Sequence, residues 1–253
     1  MPQPASDSPP LVDRIAVVTG ASRGIGRAAA VALAKAGAHV VAIARTEGGL
    51  TELDDEIRGL TGQPATLVPL DVSDGDALDG LGLALHQRFG RIDVLVHAAA
   101  ILGPVTPVSH IEPKHWERVV AVNLTAAYRL IRSFEPLLRA SSAGRAIFLT
   151  TGLAAQPRAF FGPYGITKAG VEHMVRTWAD ELEQTPIRAA LLSPGPMRTR
   201  MRAEAFPGED PMTLPDPSEI GPLVVELAQA DLGLPTATVT FADWKARGTL
   251  ASA

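Results

Sequence analysis

Short apolar runs, several of them rich in β-branched residues, recur along the chain with amphipathic stretches between them. "RIAVVTG" (14–20), "HVVAIA" (39–44), "ATLVPL" (65–70), "IDVLVHA" (92–98), "AIFLTT" (146–151) and "IRAALLS" (187–193) have the length and composition of buried strands. The intervening pattern predicts helices near 24–37, 47–60, 74–89, 113–139 and 163–184. A further helix near 217–229 precedes a weaker strand, "TATVTFA" (236–242). Strands that alternate with helices need crossover connections, so the expected fold is α/β: a doubly wound parallel sheet with helices on both faces. Ligands of such sheets bind at the carboxyl ends of the strands.

No compositional break marks an interdomain linker, so residues 12–253 read as a single domain. The proline-rich, polar stretch 1–11 reads as a disordered tail. One segment interrupts the rhythm: "RTRMRAEAFPGEDPMTLPDPS" (198–218), rich in proline, charge and isolated apolar residues. It reads either as a lid over the strand ends or as a plain surface loop.

Composition narrows the function. Hydrophobic residues make up 46% of the 253 and support a large core, and the net charge of -4 offers no basic field for nucleic acid. With no cysteine and six scattered histidines, neither a disulfide nor a metal site is expected. The first residues lack the basic and apolar regions of a signal peptide, and no apolar run is long enough to span a bilayer. A soluble, cytoplasmic protein without a membrane partner is the expectation.

Where the first strand meets the first helix stands "TGASRGIGRAAA", with Gly20, Gly24 and Gly26. Glycines there permit a tight turn and bring backbone N–H groups against a pyrophosphate at the helix start, the geometry of a Rossmann-like nucleotide site. Ser22, Arg23 and Ile25 complete the loop. An NAD site usually places a carboxylate at the end of the second strand; here Ala44 is followed by Arg45. Arg23 and Arg45 suit a 2′-phosphate, which a carboxylate would repel, so NADP(H) is the expected cofactor. The alternative is that both arginines are solvated surface residues.

"GPYGITKAGVEHM" (162–174) puts Tyr164 and Lys168 one helical turn apart. Together with the glycine loop, "LDVSD" (Asp71, Val72), "VNL" (Asn123) and "SPGPMRT" (Pro194, Gly195, Thr199), these residues resemble the short-chain dehydrogenase/reductase family in its compact, single-domain, NADP-type branch. The likeness runs from about residue 12 to 229, and "MRAEAFPGEDP" resembles one bacterial subgroup. The resemblance implies that Asp71 contacts the adenine ring and that the 194–199 turn holds the nicotinamide. It also implies a catalytic set of Asn123, Thr151, Tyr164 and Lys168. A free tyrosine hydroxyl has a pKa near ~10; the lysine charge would stabilise its phenolate, so that it can act as general acid or base. Asn123 would hold a water that extends the relay. Thr151, thirteen residues before Tyr164, stands where the family usually has serine; Thr150 should point the other way.

The family's usual Asn-Asn-Ala-Gly after the fourth strand is here His97-Ala98-Ala99-Ala100. Ala98 cannot supply the asparagine's brace, Ala99 stays beside the cofactor, and Ala100 adds a methyl group. His97 reads as a packed structural histidine, the alternative being an acid–base group. Leu153, Phe161, Met197, Met201 and Phe206, with Ile101, Leu102 and Phe160, read either as an apolar substrate pocket or as core and lid packing. Arg198, Arg200 and Arg202 read as an anion site or as a solvated face. The expected function is hydride transfer between NADP(H) and a carbonyl or secondary alcohol, with a hydrophobic ketone, aldehyde or quinone as substrate. The altered 97–100 element keeps a second reading open, an NADP(H)-binding sensor or scaffold with little turnover. The resemblance also implies a homodimer or homotetramer, the former through the helices near 113–139 and 163–184.

Overall fold

Parallel strands form one sheet in the order β3-β2-β1-β4-β5-β6-β7. They are β1 (Ile15–Thr19), β2 (His39–Ala44), β3 (Thr66–Pro69), β4 (Val94–His97), β5 (Arg145–Leu149), β6 (Arg188–Ser193) and β7 (Val239–Thr240). The structure is a computed structural model that describes residues 9–230 and 238–248. The order reverses beside β1, leaving a crevice between the carboxyl ends of β1 and β4.

Alternation along each strand sorts the core into two layers. On β1, Ala16 and Val18 face one cluster with Leu33 of α1 (Gly24–Lys35), Leu50 and Leu53 of α2 (Glu47–Thr61) and Leu223 of α8 (Gly221–Leu227). Val17 faces the other cluster. It contains Leu78 and Leu85 of α3 (Gly75–Phe89), Leu130 and Phe134 of α5 (Ala126–Arg139), and Val171 and Trp178 of α6 (Gly162–Glu181). The central strands are apolar on both faces because both faces are covered. Helix ends follow local chemistry: α3 starts on Asp74, whose carboxylate accepts the Ala77 N–H, and stops at Gly90.

Three expectations change. The strand foreseen at 236–242 is paired only at Val239–Thr240, and Phe241–Arg247 forms α9 instead; 236 and 237 lie outside the described residues. Thr240 caps that helix by accepting the Asp243 N–H, and Phe241 and Trp244 fall on one helical face. The helix foreseen over 113–139 consists of α4 (Pro113–Val120) and α5, joined by a π turn at Ala121–Thr125. Residues 1–8 of the expected tail lie outside the described residues, but Leu11 is no tail residue: it is fully buried, and its N–H reaches the Ala36 carbonyl at 2.9 Å. The 198–218 segment carries α7 (Arg200–Ala205) and two short 3-10 turns. Among the described residues no helix is long and apolar enough to cross a membrane.

Candidate active site

A cavity of about 1090 Å³ opens at the carboxyl ends of the strands. Its wall includes the glycine loop, Arg45, Asp71, Val72, Ala99, Tyr164, Lys168, Pro194 and Thr199. Of the expected cofactor residues, Gly195 is not part of this wall.

The loop's shape explains its sequence. Gly20 has φ +69°, and a Cβ there would stand 2.9 Å from the Ala99 backbone; a Cβ on Gly26 would stand 2.3 Å from the Gly20 carbonyl oxygen. The first glycine therefore permits the turn and the last lets α1 press against β1. Arg23 precedes α1 without capping it by its side chain, and the first turn holds no acidic residue. The helix start presents backbone donors and a positive dipole end to the cavity, so a dinucleotide pyrophosphate fits.

Tyr164 and Lys168 both reach the cavity from the first turns of α6, which Pro163 opens. Lys168 is 2% exposed, and its Nζ donates to the Leu149 carbonyl at 2.7 Å. Burial lowers the lysine to about 8 and pushes the Tyr164 hydroxyl up to about 12. The expected lowering of the tyrosine by the lysine charge is therefore outweighed by desolvation of the phenolate.

Asn123 lies inside the π turn, fully buried. Its Oδ1 accepts the Ile101 N–H at 2.9 Å, and its Nδ2 donates to the Ile101 carbonyl at 2.9 Å and to the Thr167 hydroxyl at 3.2 Å. The side chain thus clamps the segment after β4 to the long helix and to α6, a brace that Ala98 cannot make. Contrary to expectation, Thr150 and not Thr151 is part of the cavity wall, although its hydroxyl donates to the Glu172 carboxylate at 2.7 Å; Thr151 accepts the Leu153 N–H at 3.4 Å at the start of a short 3-10 turn. Neither Asn123 nor Thr151 belongs to the cavity wall.

His97 is fully buried, with Nδ1 2.9 Å from the Thr19 hydroxyl and its ring edge-on to Phe148. Thr19 in turn accepts the Ala99 N–H at 3.2 Å. Burial, with the nearby Lys168 charge, pushes the imidazole down to about 3, so it stays neutral. Its Nε2 is buried with no partner. The histidine is a packed structural group within reach of the Lys168 charge.

Of the apolar pocket candidates, Met201 lines the cavity, as do Ile101 and Leu102. Leu153, Phe161, Met197 and Phe206 stand outside its wall: Met197 packs in the core, and Phe161 stacks on Phe206. The three arginines of the 198–218 segment are not a free anion site. Arg198 pairs with Asp216 at 2.6 Å, Arg200 with Glu204 at 2.8 Å and Arg202 with Glu209 at 2.5 Å. Sequence reading missed Glu172 and Arg118. Glu172 follows Lys168 by one turn, a legible spacing, whereas Arg118 meets Asp71 across 47 residues and leaves no local signal.

A nucleotide crevice beside a buried Tyr–Lys turn defines an oxidoreductase of the doubly wound class. A family model for short chain dehydrogenases matches residues 14–210, and the chain belongs to that family. It is 38% identical over 231 residues to the uncharacterised oxidoreductase YciK of Escherichia coli (strain K12), covering 90% of each chain. A crystal structure of a short chain dehydrogenase from Shigella flexneri 2a (strain 301), complexed with NADP, superposes with a TM-score of 0.85 at 36% identity, over 88% of this chain and 94% of that one. An NADPH-dependent aldehyde reductase-like chloroplast protein of Arabidopsis thaliana is 34% identical over 214 residues, 80% of this chain and 78% of its own.

Proposed function

We propose that the chain is an NADP(H)-dependent carbonyl reductase or alcohol dehydrogenase acting on a hydrophobic ketone, aldehyde or quinone. The observation that carries this reading is that Tyr164 and Lys168 share one cavity with the glycine loop. Gly20, Gly24 and Gly26 leave room for the pyrophosphate, and the exposed guanidinium groups of Arg23 and Arg45 flank the end where a 2′-phosphate would lie. The NADP-bound relative from Shigella and the NADPH-dependent relative from Arabidopsis support the same cofactor.

When bound, the nicotinamide supplies or accepts the hydride. The chain's own residues handle the proton. Tyr164, whose hydroxyl burial keeps protonated at neutral pH, donates to the substrate oxygen as the carbonyl is reduced. Lys168, charged at pH 7, holds positive potential beneath the phenolate that remains and returns a proton to it. Thr151, which stands outside the cavity wall, orients the substrate oxygen once its hydroxyl turns from the Leu153 N–H towards the cavity. Asn123, with its side chain committed to Ile101, keeps the helix beside Lys168 in register. Ile101, Leu102 and Met201 give the substrate end an apolar surface that favours a hydrophobic carbonyl over a charged sugar.

The test is NADPH oxidation by the purified protein across hydrophobic ketones, aldehydes, quinones and diketones, with Tyr164→Phe alongside. Turnover that the phenylalanine variant loses is the expected result. Turnover that survives the substitution would remove Tyr164 from the chemistry, and NADPH binding without turnover on any carbonyl would favour a sensor.

A further inference from the structure

Asp71 stands between two guanidinium groups that hold it unequally. Arg118 of α4 reaches Oδ2 through Nη2 at 2.7 Å, whereas Nη1 of Arg45 stops at 3.8 Å, beyond hydrogen-bond distance. The second nitrogen of the Arg118 fork donates to the Ser73 hydroxyl at 2.6 Å. Ser73 donates to Oδ1 of Asp71 from its hydroxyl at 2.7 Å and from its backbone N–H at 3.0 Å. Asp71, Ser73 and Arg118 thus form a closed ring in which both carboxylate oxygens are occupied. Burial opposes the charge on Asp71, but the Arg118 and Ser73 hydrogen bonds outweigh it and bring the carboxyl down to about 2, so the ring is fully ionised at neutral pH.

Arg45 is left over. Its side chain is 53% exposed, and among the described residues it has no hydrogen bond and no ion pair other than the long one to Asp71. We propose that Arg118 is a specificity-determining residue for the cofactor: by occupying Asp71 it leaves Arg45 free to take the 2′-phosphate. The inference rests on the NADP(H) reading above. Without Arg118, Oδ2 of Asp71 loses its close cation and Arg45 is the nearest replacement, able to close the gap to an ordinary charge-assisted hydrogen bond. A 2′-phosphate would then compete with a carboxylate for Arg45 and would also face the unneutralised charge of Asp71. NADH, with a hydroxyl at that position, makes no such demand. Lysine cannot replace the arginine fully, because bridging Asp71 and Ser73 together needs a planar fork.

The experiment measures the Kd of NADPH and of NADH, by fluorescence titration of the full chain, for wild type, Arg118→Met, Arg118→Lys and the pair Arg118→Met with Asp71→Asn. The expected result is an NADPH/NADH preference that falls about tenfold in Arg118→Met, the size of one lost charge-assisted contact. It should fall less in Arg118→Lys and recover in the double variant, where the competing carboxylate is gone. A purely structural Arg118 would weaken both cofactors alike and leave the ratio unmoved, which overturns the inference while the NADP(H) reading stands. A ratio that falls and stays low in the double variant would mean that Arg118 meets the phosphate itself, and also overturns it. Should Arg118→Met not fold, Arg118→Lys decides alone: a lowered ratio supports the inference and an unchanged one overturns it. A wild type that prefers NADH overturns the cofactor reading and this inference with it.

Discussion

Phe206 of the 198–218 segment lies almost parallel to Phe161, the residue that leads into α6, with ring centroids 5.6 Å apart and planes inclined by 20°. The Arg202 guanidinium sits 3.8 Å and that of Arg158 4.8 Å from the Phe206 ring centroid. The contact ties the 198–218 segment to the turn that precedes Tyr164. Phe160, beside it, has φ +75°, a left-handed conformation that the packing around it must hold.

Loss of that stack should loosen the 198–218 segment. The aromatic pair contributes about 1 kcal/mol and each of the two cation–π contacts about 0.5 kcal/mol, so Phe206→Ala should destabilise the 198–218 segment by roughly 2 kcal/mol. The expected outcome is a higher KM for the carbonyl substrate with a nearly unchanged Kd for NADPH, and faster proteolytic cleavage within 198–218. Equal effects on substrate and cofactor would mean that the stack supports the whole site.

His97 should make the protein acid-sensitive. Its folded pKa, about 3, lies below the ordinary 6.5, so between these values the unfolded chain takes up a proton that the folded chain refuses. The stability this contributes is complete above pH 6.5 and is lost as the pH falls towards 3. His97→Gln removes the titration. Its stability should fall less steeply than that of the wild type between pH 6.5 and 4, the two differing by up to ~3 kcal/mol at pH 4, which thermal unfolding across that range measures. Parallel curves would show that the imidazole is hydrated.

Lys168 has the same sign over a different window. Its folded pKa of about 8 lies below 10.5, so the cost of burying its charge is present in full below pH 8 and is relieved as the pH rises to 10.5. Relative to Lys168→Met, the wild type should gain up to ~3 kcal/mol across that range. Urea unfolding at pH 7, 9 and 10.5 measures the difference. A constant gap would mean that the ammonium is stabilised by more than the Leu149 carbonyl. The variant should also lose turnover.

Charge reversal at the adenosine end should change cofactor preference. Arg45→Asp with Arg23→Ala removes both exposed cations and introduces the carboxylate that favours ribose hydroxyls. The NADPH/NADH affinity ratio should fall by at least ~100-fold, since each charge-assisted contact is worth about 1.5–3 kcal/mol. An unchanged ratio would sink the phosphate assignment.

The sheet was legible because its strands are buried on both faces and so appear as unbroken apolar runs, each bounded by a glycine, proline or polar turn. The last element misled for the same reason. Val239, Thr240 and Phe241 look like a strand, but Asp243 lies at capping distance from Thr240 and Trp244 donates to Glu226 of α8, and these contacts favour the helix. The glycine loop and the Tyr–Lys turn could be read because their chemistry depends on local spacing. The ring of Asp71, Ser73 and Arg118 could not, because it closes through tertiary contact. The apolar residues around the lid gave composition without direction: Met201 faces the cavity, while Phe161 and Phe206 face each other.

The π turn at Ala121–Thr125 is invisible to hydrophobic periodicity and has a consequence for how the chain tolerates change. Each residue of an α-helix advances the chain by about 100° around its axis. The turn carries one residue more than a straight helix would use, so deleting any single residue there would let α4 and α5 fuse into a regular rod. Because the extra residue is absorbed in the widened turn, such a deletion would leave Arg118 and the face of α5 nearly in register but would carry Asn123 out of the geometry in which it clamps Ile101 and Thr167. The segment is therefore intolerant of changes in length, and homologous chains should keep its residue count and its asparagine while the neighbouring letters vary.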